Sequence, residues 1–354
     1  MRHAPHWLTS EGSDLDVGLQ ALRAIHTRMQ TDPKCSVLAD RSFRWWMKDF
    51  AQEISVSAPF ESEGVTLARL EARTPVASLS ALTAEQFEGL SSLNAYAATL
   101  SAITFVDNTI AFVSTAHVSA ETVSWLPDHF TLRAAIQAED GESQGARLAE
   151  MFGAAALTSA HPTSGPRPEH DPLVFVIDGL IAPEGEKPSV WVGESMRDAR
   201  ALLDTISLLA KGDDDGLVAE FPYGEFTSLL QFSTGYKHPQ VGHGLHVTLR
   251  LPSPPLAASP QEAAALLNAR EAAGDPLTAL CGAWCVAPGD QADVAFTAFF
   301  PNVCHRRGLA GNIAVWMRMK ADWVTSLIDA RSLEEQWRQA KPSIASLLEK
   351  EQKH

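Results

Sequence analysis

Hydrophobic and polar positions alternate along this chain with two periods, and the changes between them mark out its elements. Val17, Leu19, Leu22, Ile25 and Met29 follow a helical spacing over 14–29, which Pro33 closes. Ser36 to Ala39 reads as a short strand. Phe43 to Ala58 reads as one longer strand, with Ile54 and Val56 alternating against Glu53, Ser55 and Ser57, and Val65 to Thr74 as a third. A helix follows from Thr83, where Gln86 three residues on completes a capping-box pattern. Ala102 to Phe105 and Ile110 to Ser114 predict a hairpin around Asp107-Asn108. A last helix begins near Ser119, is kinked or restarted at Pro127, and runs to Met151.

The same order then returns. Met196 to Lys211 predicts an amphipathic helix through Ala199, Leu202, Leu203, Ile206 and Leu209. Leu217 to Phe221, Phe226 to Ser233 and Leu245 to Leu251 read as strands, the last with one apolar and one polar face. Ser259, Pro260 and Glu262 open a helix with a strong capping signal. Strands Leu277 to Val286 and Asp293 to Phe300 follow, and a helix from Arg307 to Ile328 closes the series. The tripeptide Leu93-Asn94-Ala95 recurs as Leu267-Asn268-Ala269, an offset of 174 residues in a chain of 354. The expectation is an α+β protein of two tandem copies of an α-β-β-β-α-β-β-α unit with antiparallel sheets. The copies would occupy 1–156 and 195–330. Residues 157–194, rich in Pro and Gly at their start, would be a linker carrying short β pieces at Leu173 to Ile177 and Ser189 to Val192. A tail helix, Ser332 to Glu351, would be bent or broken at Pro342.

Composition narrows the function classes. Hydrophobic residues at 45% and charged residues at 20% are ordinary for a soluble globular chain. There are 43 acidic against 28 basic residues, a net charge of -15, which repels phosphate backbones and makes nucleic acid a poor partner. The N-terminus lacks the apolar core of a signal peptide, and no run approaches the roughly 18 apolar residues of a membrane span. With four cysteines the chain is not a disulfide scaffold, and a cytoplasmic location is expected.

The eight-element order is similar to the type III secretion chaperone fold and to the YbjN-like regulators that share it. The phrases FRWWMKDFAQEI, HPTSGPRPEHD, SLLQFSTGYKHPQVGHGLH, LLNAREAAGDP and GAWC followed by FFPN resemble a family of uncharacterised actinobacterial proteins, over residues 40–325. The resemblance implies protein-segment binding in place of catalysis. It also implies that the two copies pair within the chain as a pseudo-dimer, leaving a monomer or weak homodimer.

Candidate chemistry is sparse. His238, His243 and His246 lie within nine residues but match no zinc spacing. Cys281 and Cys285, four apart on one predicted strand, would share a face, and with Cys304 and His305 they form a second grouping that invites a metal. Core packing is the simpler reading of these thiols. Asp213-Asp214-Asp215 lacks the spaced ligands of a calcium loop. Trp45 and Trp46 are adjacent on a strand and cannot both face one core, so one is covered by another element or open to a partner. His161 and Arg167 lie in the linker phrase, where loop residues can carry function. Phosphate-cradling, dinucleotide, nucleophile-elbow and HExxH motifs are absent. No catalytic residue, cofactor or metal is assigned. The expected function is non-enzymatic protein binding, with a peptide or protein carrying basic stretches as partner and Trp45, Trp46, His161, Arg167, His238, His243 and His246 as candidate contacts. The alternative is an enzyme or small-molecule binder with its site in the cleft between the copies.

Overall fold

A computed structural model describes residues 5–10, 14–97, 100–224, 226–252, 256–274, 278–287 and 293–329. The predicted tail helix lies outside these residues. The first repeat comprises α1 (His6–Thr9), α2 (Val17–Met29), β1 (Ser36–Leu38), β2 (Ser42–Trp46), β3 (Ala51–Val56), β4 (Phe60–Ser62), β5 (Val65–Ser78), α3 (Ala84–Ala97), β6 (Ala102–Val106), β7 (Thr109–Val118), α4 (Leu126–Met151) and β8 (Ala155–Ala156). A connecting segment carries α5 (Ala182–Gly185). The second repeat comprises α6 (Glu194–Ile206), β9 (Leu209–Gly212), β10 (Gly216–Tyr223), β11 (Phe226–Ser233), β12 (Lys237–His238), β13 (Gly242–Leu251), α7 (Pro260–Ala273), β14 (Ala283–Val286), β15 (Val294–Pro301) and α8 (309–329).

The duplication is visible in the topology. The first sheet runs β1-β2-β3-β5-β7-β6 and the second, read in the same direction, β9-β10-β11-β13-β15-β14. The pairings along both paths are antiparallel. One face of the first sheet is covered by α2 and α4 of the same repeat. There Phe43, Trp45, Ile54, Ala72 and Phe112 join Leu22, Ile25, Phe130 and Ala134 in one core. Its opposite face, at Ala102, Ala111 and Val113, meets Ala263, Ala264 and Leu267 of α7 from the other repeat. The reciprocal contact places Ala95 of α3 against Cys285, Ala287 and Ala295. Val286 N donates to Ser91 Oγ at 2.8 Å across the same contact. Each middle helix thus packs on its neighbour's closing hairpin as well as on its own, which makes the chain an intrachain pseudo-dimer.

Local chemistry explains the element boundaries. Asp16 caps α2 through the Leu19 amide, and Gln30 ends it in the left-handed region. Thr83 and Gln86 exchange side-chain and amide bonds at the head of α3. Asp107 and Asn108 both take positive φ, 52° and 59°, the two-residue turn predicted between β6 and β7. Helix α4 starts at Leu126, with Pro127 in its first turn, and not near Ser119; 120–125 are turns.

Four other expectations are corrected. The stretch Phe43 to Ala58 is two strands, β2 and β3, folded back through residues 47–50, where Glu142 accepts from the Asp49 and Phe50 amides. The helix expected to reach Lys211 stops at Ile206, and Leu209–Gly212 pairs with β10 as an edge strand, because Leu208 N is drawn to Glu220 O. Residues Leu173 to Ile177 and Ser189 to Val192 form no strands. Asp171 caps a 3-10 turn at Pro172–Phe175, which continues through a π-helix at Ile177–Ile181 into α5, burying Val174, Ile177 and Ile181 at helical spacing. Cys281 and Cys285 do not share one strand, since β14 starts at Ala283; Cys281 joins the core with Trp284, while Cys285 faces α3. Among the described residues no helix is long and apolar enough to cross a membrane.

Candidate ligand site between the repeats

The residues picked from the sequence divide by location. Trp45 is wholly buried and donates its indole N–H to Gln52 Oε1 at 3.1 Å. Trp46, on the opposite face of the strand, is covered by the connecting segment, which answers the question its position posed. Its indole donates to Ser159 Oγ at 3.1 Å, His161 meets its ring edge-on, and Arg167 Nη1 donates to its carbonyl at 3.1 Å. Arg167 also pairs with Asp171. Trp46, His161 and Arg167 are therefore brought together, as the clasp that holds this segment on the first sheet.

The histidines have a structural explanation that the sequence shows in retrospect. His161-Pro162 and His238-Pro239 are the same dipeptide doing the same thing. Each imidazole Nδ1 accepts from the amides two and three residues on, at 3.3 and 2.9 Å for His161 and 3.2 and 3.4 Å for His238. The ring replaces the side-chain oxygen of an Asx turn. Burial, helped by neighbouring His246, pushes His238 down to about 4. His246 bonds Thr297 across the sheet, and His243, second in β13, lies opposite Lys237. Among the described residues, no group of three or more His, Cys, Asp or Glu is placed to hold a metal ion.

The site that sequence reasoning did not find lies on α4. His129 and Arg133 are one helical turn apart and so share a face. That face is turned toward the second repeat at the place where β7 reaches Leu280: Thr115 N donates to Leu280 O and Leu280 N to Thr115 Oγ1, each at 3.0 Å. Arg133 is 1% exposed. Its Nε donates to His129 Nδ1 at 3.0 Å and its Nη1 to Thr115 O at 3.4 Å, while Nη2 has no protein partner. The bond received at His129 Nδ1 leaves the proton of the neutral ring on Nε2, and Nε2 is buried without an acceptor. Two buried donors on this bonded pair therefore lack acceptors.

The electrostatics are unbalanced in the same sense. Burial pulls the Arg133 guanidinium below its ordinary value, opposed by the nearby Cys281 and Cys304 sulfurs, yet a guanidinium keeps its proton inside proteins. Burial, then the Arg133 charge, holds His129 well below the usual histidine range, so the ring is neutral. Burial pushes the Cys304 thiol up to about 12, so it supplies no negative charge. Among the described residues no carboxylate lies within ion-pair distance of Arg133.

Two cavities flank this pair and share Trp125 in their walls. One, of about 180 Å3, is bounded by Arg133, Trp125, Leu126, Ala279, Asn312 and Trp316, with His117 and Thr122 at its rim. The other, of about 260 Å3, is bounded by Asp128, His129, Leu132, Cys304, His305 and Arg306. Arg306 stacks over the Trp125 ring at 4.9 Å. Both cavities draw residues from α4 and from the second repeat. A serine–histidine contact also forms nearby, Ser195 Oγ to His305 Nε2 at 2.8 Å, but Ser195 lines neither cavity and so meets no substrate there.

No family profile matches the chain, and no curated protein or solved structure matches it either.

Proposed function

We propose that the chain is a small-molecule-binding protein whose ligand sits in the cleft between the two repeats. The observation that carries this is Arg133: a buried cation with an unpartnered Nη2, in the wall of a cavity bounded by both repeats. Leaving such a group unpaired costs free energy, and a fold with freedom to vary would remove it unless something answered it. Cavities at the interface of repeated units are a common place for ligands. The test is two-dimensional NMR of indole N–H groups during a screen of small acids and neutral aromatics. Trp125 and Trp316 resonances shift with a binder, while those of Trp7 and Trp45, in the first core, stay still. If no compound at millimolar concentration moves Trp125 or Trp316, the reading is wrong.

Chaperone-like binding of a protein segment is the second reading, and one observation favours it. On the outer face of the second sheet Leu209 and Val218 are 40% and 39% exposed, at and beside the free edge strand β9. An extended segment with basic residues suits such an edge on a chain of net charge -15. In this reading Val218→Lys and Leu209→Glu abolish capture of a stoichiometric partner, and recovery of the same partner by both variants would rule it out. Under either reading the pairing of the two repeats leaves the chain self-sufficient, with a solution mass near 38.3 kDa.

A further inference from the structure

We infer that the ligand of the inter-repeat cleft is a small organic monocarboxylate, its carboxylate on Arg133 and its apolar body between Trp125 and Trp316. The inference rests on the small-molecule reading above and names the class it admits.

Charge comes first. The wall of the 180 Å3 cavity holds one cation and no carboxylate. Burial, with a contribution from Arg69, lowers His117 at its rim to about 4, so that ring is neutral at pH 7. A single buried positive charge is matched by a single negative one. A phosphate dianion would bring one charge more than the wall answers. Geometry comes second. Arg133 has spent Nε and Nη1 on His129 and Thr115, which leaves the N–H groups of Nη2 to donate to a carboxylate oxygen. Shape and polarity come third. Beyond the guanidinium the wall is Trp125, Leu126, Ala279 and Trp316, which favours an apolar or aromatic body over a sugar or nucleotide. A cavity of about 150 Å3 holds one benzene ring, so 180 Å3 sets the ligand near the size of benzoate. Thr122 and Asn312 supply the remaining polar contacts, enough for one hydroxyl or carbonyl on the body.

The test is calorimetric titration of the full chain with benzoate, its neutral isostere benzamide, and inorganic phosphate. Wild-type protein is expected to bind benzoate at least tenfold more tightly than benzamide and phosphate more weakly than either. Arg133→Met is expected to remove the preference for benzoate while keeping benzamide binding, and Arg133→Lys to retain part of it. Equal binding of benzoate and benzamide to wild type overturns the inference and leaves the cleft reading standing. Tighter binding of phosphate overturns the monocarboxylate class. Binding of none of the three overturns the inference together with the reading on which it rests. The wild-type comparison decides the matter even where a variant fails to fold.

Discussion

Asn94 and Asn268 make the same two bonds in the two repeats. Asn94 donates from Nδ2 to Ile103 O at 2.9 Å and accepts from Ile103 N at 2.8 Å. Asn268 does the same with Trp284 O and N, both at 2.8 Å. Ile103 and Trp284 each stand second in the first strand of a closing hairpin, opposite Phe112 and Phe296. The carboxamide of the middle helix thus completes the free side of an edge strand where water is excluded. Asn94→Leu and Asn268→Leu each leave a buried N–H and C=O unpaired, and each is expected to cost about 2–4 kcal/mol in urea unfolding. A cost near zero in either repeat would show that the equivalence is geometric only.

Asp140 gives stability a pH dependence of known sign. It is 3% exposed, and burial, then the neighbouring Glu139, raises its carboxyl from an ordinary 3.8 to about 7. A raised carboxyl favours the fold while both states hold the proton. The advantage is lost as pH climbs from about 4 to 7, because the unfolded chain ionises first. Asp140→Asn is expected to stabilise the protein by on the order of 1–3 kcal/mol at pH 8 and to change little at pH 4. Gln144 keeps its bond to the same oxygen position. His117, lowered to about 4, acts oppositely and loses its contribution as pH falls from 6.5. Thermal scans at the two pH values check the prediction, and a destabilised Asn variant at pH 8 would refute it.

His161 and His238 use Nδ1 to close their own turns, so neither has it to offer a metal. Adding zinc is expected to leave the melting temperature unchanged. His161→Asn, which keeps an acceptor at that place, is expected to retain most of the stability that His161→Ala loses, about 1–2 kcal/mol. Equal losses in the two variants would mean that the edge-on contact with Trp46 matters more than the turn.

Gly185 and Gly242 mark the point where the connecting segment is pinned to the second repeat. A Cβ on Gly185 would fall 2.0 Å from Val241 O, and one on Gly242, whose φ is 74°, 2.4 Å from Gly185 O. Backbone has nowhere to retreat, so Gly185→Ala is expected to cost about 1–3 kcal/mol and to expose 172–192 to protease. Unchanged proteolysis would mean that the segment is held from its other end, at Trp46.

Much of the architecture was legible because each repeat spells it out locally. Capping at Thr83 and Ser259, the Asp107-Asn108 turn and the alternation in β13 are near-neighbour effects, and the repeated Leu-Asn-Ala joined them into a duplication. Errors fell where distant partners decide. Leu209 has helical spacing but is claimed by β10, and Val174 and Ile177 are β-branched yet sit on a helical stripe against the core. The candidate site was hidden for the same reason. An arginine in a helix reads as solvent-facing, and what buries Arg133 is the other repeat. One signal was present: Ala134, Ala135 and Ala138 put small residues around much of the helix, as suits a helix packed on more than one side.

The most direct test of the account is the melting temperature of Arg133→Met with no ligand present. If Arg133 is a cation kept for a ligand, replacing it with an apolar chain of similar length removes an unanswered buried charge, and the melting temperature is expected to hold or rise. A fall of several degrees would show that the bonds to His129 and Thr115 are its purpose, and would contradict the assignment of the cleft as a binding site.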